Sequence, residues 1–225
     1  MKLSVSPVSG TAPLGSEEGS FGLYRRFGKR LFDMFLALFL APVIVPVIIA
    51  LWFWVRRDGG PGFFIQPRVG KDGRIFNCWK LRTMVVDAEA ALKAMCDDCP
   101  ELAREWHVNQ KLSKDPRITR AGRFLRATSL DELPQLFNVF RGDMSFVGPR
   151  PFLIDQEEIY REAGGKAYFR MRPGITGIWQ VEGRNATSFA ARVGFDNRYF
   201  ETTSLLRDLG LILRTALIVV RRTGR

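Results

Sequence analysis

Histidine is nearly missing from this chain: its 225 residues include one, His107. That leaves little from which to build a histidine-based triad, and no Gly-x-Ser-x-Gly stretch offers a nucleophile elbow. Cysteine is scarce as well, and an odd number, Cys78, Cys96 and Cys99, argues against a disulfide framework. Cys96 and Cys99 form a C-x-x-C upstream of His107, yet the second ligand pair that marks a structural zinc site is absent. Reduced thiols in a cytosolic helical segment fit that pattern better. Acidic residues are outnumbered, 23 against 34 basic ones, for a formal charge of +11. Such an excess attracts anionic lipid headgroups, phosphorylated ligands or nucleic acid, and charge alone does not choose among them. Residues 1–20 lack the apolar run of a secretory signal, and their Ser, Gly and Pro content predicts a disordered leader within 1–28. Residues 22–29 imitate a phosphate-binding loop, but five residues rather than four separate the glycines, and Arg30 replaces the required Ser or Thr. The sequon Asn185-Ala186-Thr187 has no use on a cytosolic domain.

What is abundant is apolar sequence. Residues 34–55 carry no charged side chain, and a straight helix of that length rises roughly 33 Å, enough to cross a bilayer core. Pro42 and Pro46 lie inside it, and each removes an amide donor and presses its ring on the preceding turn. Arg25, Arg26, Lys29 and Arg30 precede the block, and Arg56 and Arg57 follow it. Basic residues near membrane segments stay on the cytoplasmic side, so a spanning helix should be basic at one end only. Basic flanks at both ends predict a helix over 29–57 that enters the inner leaflet, bends at Ala41-Pro42 and returns. A simple span is the alternative.

Beyond the block, residues 58–62 are a break and turn cluster. Two short strands at 63–65 and 74–76 form a hairpin. Helical spacing over 85–111 is interrupted by Pro100, and another helical run covers 130–140. Gly148-Pro149-Arg150-Pro151 is a rigid loop, with prolines fixing the backbone on both sides of the arginine. Residues 205–222 read as an apolar helix with interspersed charges, suited to lying on a membrane surface. The fold class expected is α+β, α-rich and irregular, with a re-entrant helix followed by a cytosolic domain over 58–225.

The chemistry concentrates at Asp131 and Glu132, two adjacent carboxylates at a helix start among arginines. Ser129 and Glu132 also match a capping box, which is the plain structural reading. The functional reading is that a helix N-terminus and guanidinium groups favour ionised acid. An ionised aspartate can attack phosphorus and form an acyl-phosphate, while its neighbour holds a metal. A carboxylate attacking an anionic diphosphate needs cations: Mg²⁺ and arginine forks. Arg126, Arg150, Arg172 and Arg184 are placed in loops or at helix ends.

These stretches resemble the small bacterial phosphoglycosyl transferases, the polyprenyl-phosphate hexose-1-phosphate transferases. The resemblance rests on residues 29–33 (KRLFD), Ala41-Pro42, 80–84 (KLRTM), 129–139 (SLDELPQLFNV), 142–151 (GDMSFVGPRP), 172–177 (RPGITG) and 183–185 (GRN). It implies transfer of a hexose-1-phosphate from a UDP-hexose to polyprenyl (undecaprenyl) phosphate at the bacterial inner membrane, on its cytoplasmic face, with release of UMP. It places Asp131 as nucleophile and Glu132 as holder of Mg²⁺. Lys80, Arg82, Arg126, Arg150 and Arg184 are candidate phosphate-binding residues, and Asp196 and Asp208 are further acidic candidates. Pro42 marks the membrane-helix break, where the family often has Ser-Pro and this chain has Ala-Pro. Short family members point to galactose or glucose and to exopolysaccharide initiation. Membrane lipid is a partner, nucleic acid is not, and a homodimer is compatible. The absence of further membrane helices suggests a minimal catalytic form. The rival reading is a basic peripheral protein that binds anionic lipid or nucleic acid without catalysis, and it does not explain why carboxylates and a proline-framed arginine cluster.

Overall fold

The computed structural model describes residues 22–109, 112, 115–183 and 188–220. Most of the expected leader lies outside them, and its last part is helical. A π-helical turn, Tyr24–Gly28, runs straight into α1, Lys29–Val55. Only one stripe of α1 is covered by protein. Asp33, Ala37, Ile48 and Val55 are buried, and Leu40, Ala41 and Ile44 pack beside them. These recur at steps of three and four, the spacing of a single helix face. The other face presents Phe35, Leu38, Phe39, Val43 and Phe53, each more than half exposed. A helix apolar all round belongs in a core or against lipid. Among the described residues it alone is long and apolar enough to cross a membrane, and only 11 % of its most apolar window is buried. Pro42 and Pro46 lie on the exposed side of a helix that continues through both. The helix is continuous through Pro42, so the bend expected at Ala41-Pro42 belongs inside one helix rather than between two.

The hairpin is longer than expected. Strands β1, Phe63–Val69, and β2, Ile75–Leu81, pair antiparallel from Phe63↔Leu81 to Val69↔Ile75. β1 is an edge strand, which tolerates Pro67. Directly paired residues share a face, so Phe64, Gln66 and Arg68 lie beside Lys80, Cys78 and Phe76. Helices α2, Ala88–Asp98, and α3, Pro100–Asn109, divide where Pro100 starts the second. Cys78 is buried on β2, and Cys96 and Cys99 are half-buried free thiols at α2 and its end.

Helix α4, Arg120–Thr128, begins at Thr119, whose hydroxyl accepts from the Gly122 amide at 2.9 Å. A Cβ on Gly122 would sit 1.9 Å from the Thr83 carbonyl oxygen, so glycine is what lets α4 lean on the exit of β2. The helix expected over 130–140 divides into a 3-10 turn, Leu130–Glu132, and α5, Gln135–Arg141. Two three-residue strands, β3, Ser145–Val147, and β4, Gly174–Thr176, pair in parallel. They are too short to show a period in the sequence. Helices α6, Glu157–Glu162, α7, Arg192–Thr202, and α8, Leu205–Val220, complete the chain. The main core joins Ala37 of α1, Phe76 and Cys78 of β2, Leu136 and Val139 of α5, Val147 of β3 and Leu211 of α8.

A polar joint fastens α1 to this domain. Lys29 Nζ lies 2.7 Å from Asp208 and 3.7 Å from Asp33. The Tyr24 and Tyr199 hydroxyls donate to Asp208 at 2.6 and 2.7 Å. Asp33 accepts from the Ser145 hydroxyl and the Phe146 amide of β3 at 2.9 and 3.1 Å. Arg30 donates to the carbonyls of Val139 and Phe140 at the end of α5. Both carboxylates are fully buried, and removing one partner of a buried pair typically costs about 3–5 kcal/mol. Lys29→Ala should therefore lower the melting temperature of the detergent-solubilised protein far more than Lys71→Ala, a change at an exposed turn. Equal shifts would show that the joint does not hold α1 in place.

Candidate active site

Asp131 and Glu132 are presented by the turn between α4 and α5. Ser129, at the end of α4, has a left-handed backbone with φ of 56°, and the chain reverses there into the 3-10 turn. That conformation rules out the capping box: an N-cap is extended, and Ser129 makes no side-chain cap bond. Glu132 instead accepts on Oε1 from Lys80 Nζ at 2.8 Å and from Arg150 Nη2 at 3.4 Å. Asn138 sets the separation. Its side chain accepts from the Trp79 amide at 3.0 Å and donates to the Asn77 carbonyl at 2.7 Å, so α5 is bonded to β2 much as a strand would be. Lys80 and Glu132 are thereby held from opposite sides of one contact.

Arg150 is placed by its backbone. The Gly148 amide donates to the Thr176 carbonyl, and the Gly174 amide to the Pro149 carbonyl, each at 2.8 Å. The crossing is so close that a Cβ on Gly174 would approach Gly148 N to 2.1 Å. Arg192 donates to the Arg150 carbonyl, and Arg68 to that of Pro151 at 3.2 Å. With its backbone clamped on both sides, the loop leaves the Arg150 guanidinium turned toward Glu132.

These groups line one cavity of about 800 Å³. Asp131, Glu132, Lys80, Arg126 and Arg150 form its charged part, while Ile44 of α1 and Val219 of α8 also face it. Arg126 Nε donates to the Thr83 hydroxyl at 2.9 Å. The two carboxyls are driven apart. Burial and then the neighbouring Glu132 charge push Asp131 up from the usual carboxylate range, with Lys80 and Arg126 opposing. Burial also disfavours the Glu132 anion, but Arg150 and Lys80 outweigh it and hold that carboxyl at about 2. Two acids held at different basicities are suited to two roles. Glu132 is a fixed anion, and Asp131 is the more basic carboxylate, with no ion-pair partner among the described residues.

Other expected residues lie elsewhere. Arg82 donates to the carbonyls of Pro61, Met84 and Val55 and pairs with Asp58, so it ties the end of α1 to the end of β2. Asp196 is buried and accepts from the Tyr160 hydroxyl at 2.8 Å, in an aromatic cluster around Phe152. Asp208 belongs to the α1 joint. Arg172 donates to the Gly142 carbonyl at 2.8 Å, and Arg184 is outside the described residues. Sequence reasoning missed Asn138 and the Thr176–Thr215 pair, whose hydroxyls meet at 2.5 Å in the cavity wall. The only sign of Asn138 was a polar residue within the apolar run 136–140. Among the described residues no group of three or more His, Cys, Asp or Glu could hold a metal.

The sequence relationships agree with this geometry. A family model described as bacterial sugar transferase matches residues 24–222, from the π-helical turn before α1 through α8. An undecaprenyl-phosphate galactose phosphotransferase of Salmonella typhimurium is 45% identical over 199 residues, covering 88% of this chain and 42% of that one. A UDP-galactose-lipid carrier transferase of Erwinia amylovora is 46% identical over 200 residues, with the same coverage of 88% and 42%. The chain thus spans less than half the length of these two. The exopolysaccharide production protein ExoY of Sinorhizobium fredii is 40% identical over 200 residues, 88% of each chain. A match that takes in the long apolar helix, the acidic turn and the Pro-Arg-Pro loop together leaves one conclusion: the chain belongs to the bacterial sugar transferase family.

Proposed function

We propose that this protein transfers a hexose-1-phosphate from a UDP-hexose to undecaprenyl phosphate, releases UMP and initiates exopolysaccharide synthesis. The observation that carries the reading is the pair of unequal carboxylates, ringed by Lys80, Arg126 and Arg150, in a cavity that the membrane helix also lines. In the first half-reaction a carboxylate oxygen of Asp131 attacks the sugar-bearing phosphorus. An O–P bond forms, and the bond from that phosphorus to the bridging oxygen breaks, its electron pair leaving with UMP. In the second, an oxygen of the lipid phosphate attacks the same phosphorus and expels the Asp131 carboxylate. Lys80, Arg126 and Arg150 bind and orient the phosphates and offset the charge repulsion.

The residues present fit a Mg²⁺ site completed by substrate. Lys80 and Arg150 both act on Glu132 Oε1, so the other carboxylate oxygen can face a metal, and Mg²⁺ commonly takes only one or two carboxylates plus substrate phosphates. When bound there, the ion would neutralise diphosphate charge. The test is purified protein with undecaprenyl phosphate, Mg²⁺ and a panel of UDP-sugars, read as UMP release. No UMP with any sugar would overturn the reading. Galactose and glucose donors are expected to be used first; the names of the Salmonella and Erwinia relatives say galactose of those proteins.

The membrane layout belongs to the same proposal. Pro42 and Pro46 remove the donors for the carbonyls of Leu38 and Pro42, and Leu38, Pro42 and Pro46 are all exposed. Freed carbonyls are costly at the bilayer centre, which favours a shallow, re-entrant course with the domain on the cytoplasmic face. Exposed Leu206, Leu213 and Leu217 on α8 fit the same inner leaflet. Ser16→Cys and Thr223→Cys, each in a background without the native cysteines, should both be shielded from an impermeant thiol reagent in intact cells. Labelling at position 16 alone would mean a span.

A further inference from the structure

A second chamber, only about 10 Å³, adjoins the site and is faced by Arg68, Cys78, Gln135 and by Lys80, Glu132 and Arg150 of the main cavity. That is room for about one water molecule. Besides Lys80 and Arg150, Arg68 is the only cation among the described residues that lines it. Nη1 of Arg68 donates to the Pro151 carbonyl at 3.2 Å, and Nη2 to the Gln66 side-chain oxygen at 2.6 Å. Gln66 in turn lines the main cavity. The Arg68 Nε is buried and has no hydrogen-bond partner among the described residues. Burial lowers the hold of Arg68 on its proton, and Glu132 is among the groups that oppose this. A buried charge with an uncommitted donor is costly, and the cross-strand neighbour of Arg68 is Phe76, which asks for no charge.

We propose that Arg68 is a positioning residue for the transfer reaction: its fork fixes the Pro151 end of the loop that carries Arg150. Its charge also faces Glu132 across the small chamber that both line. The inference rests on the reaction proposed above. The fork sets where Arg150 stands, and a misplacement of the order of 1 Å in a catalytic constellation costs about 10²-fold in rate. Arg68 does not line the main cavity, so the loss should fall on turnover rather than on donor binding.

Arg68→Gln should lower kcat about 10²-fold per folded molecule, with KM for the UDP-sugar changed no more than about twofold. Arg68→Lys keeps the charge without the fork and should fall between that variant and wild type. Folded amount is read by melting temperature and monodispersity in detergent. If Arg68→Gln does not fold, Arg68→Lys alone decides: a lower kcat at an unchanged melting temperature supports the role, and an unchanged kcat overturns it. Unchanged kcat with a lowered melting temperature in Arg68→Gln would make the residue purely structural. A raised KM at unchanged kcat would make it a substrate contact, which also overturns the proposal. Wild type that releases no UMP would instead defeat the reaction itself, so the two failures are distinguishable.

Discussion

Asp131→Asn should lower UMP release by about 10³-fold or more while leaving the fold intact, because it removes the proposed nucleophile and almost nothing else. Asparagine has the same shape and no charge. The Asp131 carboxyl is pushed up by burial and by Glu132. A folded-state value above the unfolded one means that the ionised form costs stability once pH exceeds the unfolded value. Removing that charge at neutral pH should leave the melting temperature unchanged or raised. A collapse of turnover with no loss of stability is therefore the expected signature. With wild type and UDP-sugar alone, mass spectrometry should find a phospho-sugar on the peptide carrying Asp131, and the variant should show none. Near-normal UMP release from the asparagine variant would sink the assignment.

Glu132→Gln should act in the opposite way on stability. Arg150 and Lys80 hold this carboxyl at about 2 against the penalty of burial. A depressed value means that the carboxylate contributes stability above its unfolded value, about 4.3, and loses it as pH falls toward the folded one. At neutral pH the glutamine variant should melt lower, because Lys80 and Arg150 lose their counter-charge, and wild type should approach it as pH drops below about 4. Turnover should fall about 10²-fold, the scale for removing one preorganised electrostatic group, and more Mg²⁺ should be needed for half-maximal rate. A lower melting temperature with unchanged turnover per folded molecule would leave Glu132 a structural partner of Lys80 and Arg150. Activity indifferent to EDTA would remove the metal role.

The long apolar helix was legible because its evidence is local. An uncharged run, two prolines and basic flanks can be counted along the chain, and the helix Lys29–Val55 follows from them. The hairpin and the Pro100 division were legible for the same reason, since turn residues and a proline act on their own neighbours. Asp131 and Glu132 could be singled out because two adjacent acids among arginines are unusual, and the family's motifs named them.

What each charge does was another matter. Ser129 and Glu132 have the spacing of a cap, yet Ser129 turns left-handed and Glu132 answers to Lys80, which lies on another element. Arg82 stands two residues from Lys80 in one motif, and strand alternation alone would put both on one face. But β2 ends at Leu81, so Lys80 reaches Glu132 while Arg82, beyond the strand, turns to the end of α1. Asp208 and Asp196 carry the same carboxylate as Asp131, and each is committed to a tyrosine hydroxyl in the interior. Residue type and spacing, with the motifs of the family the chain resembles, determined the family, the long apolar helix and the acidic turn. Tertiary structure alone decided which charges face the cavity and which hold the frame, because that depends on partners far apart in sequence and on the burial they share.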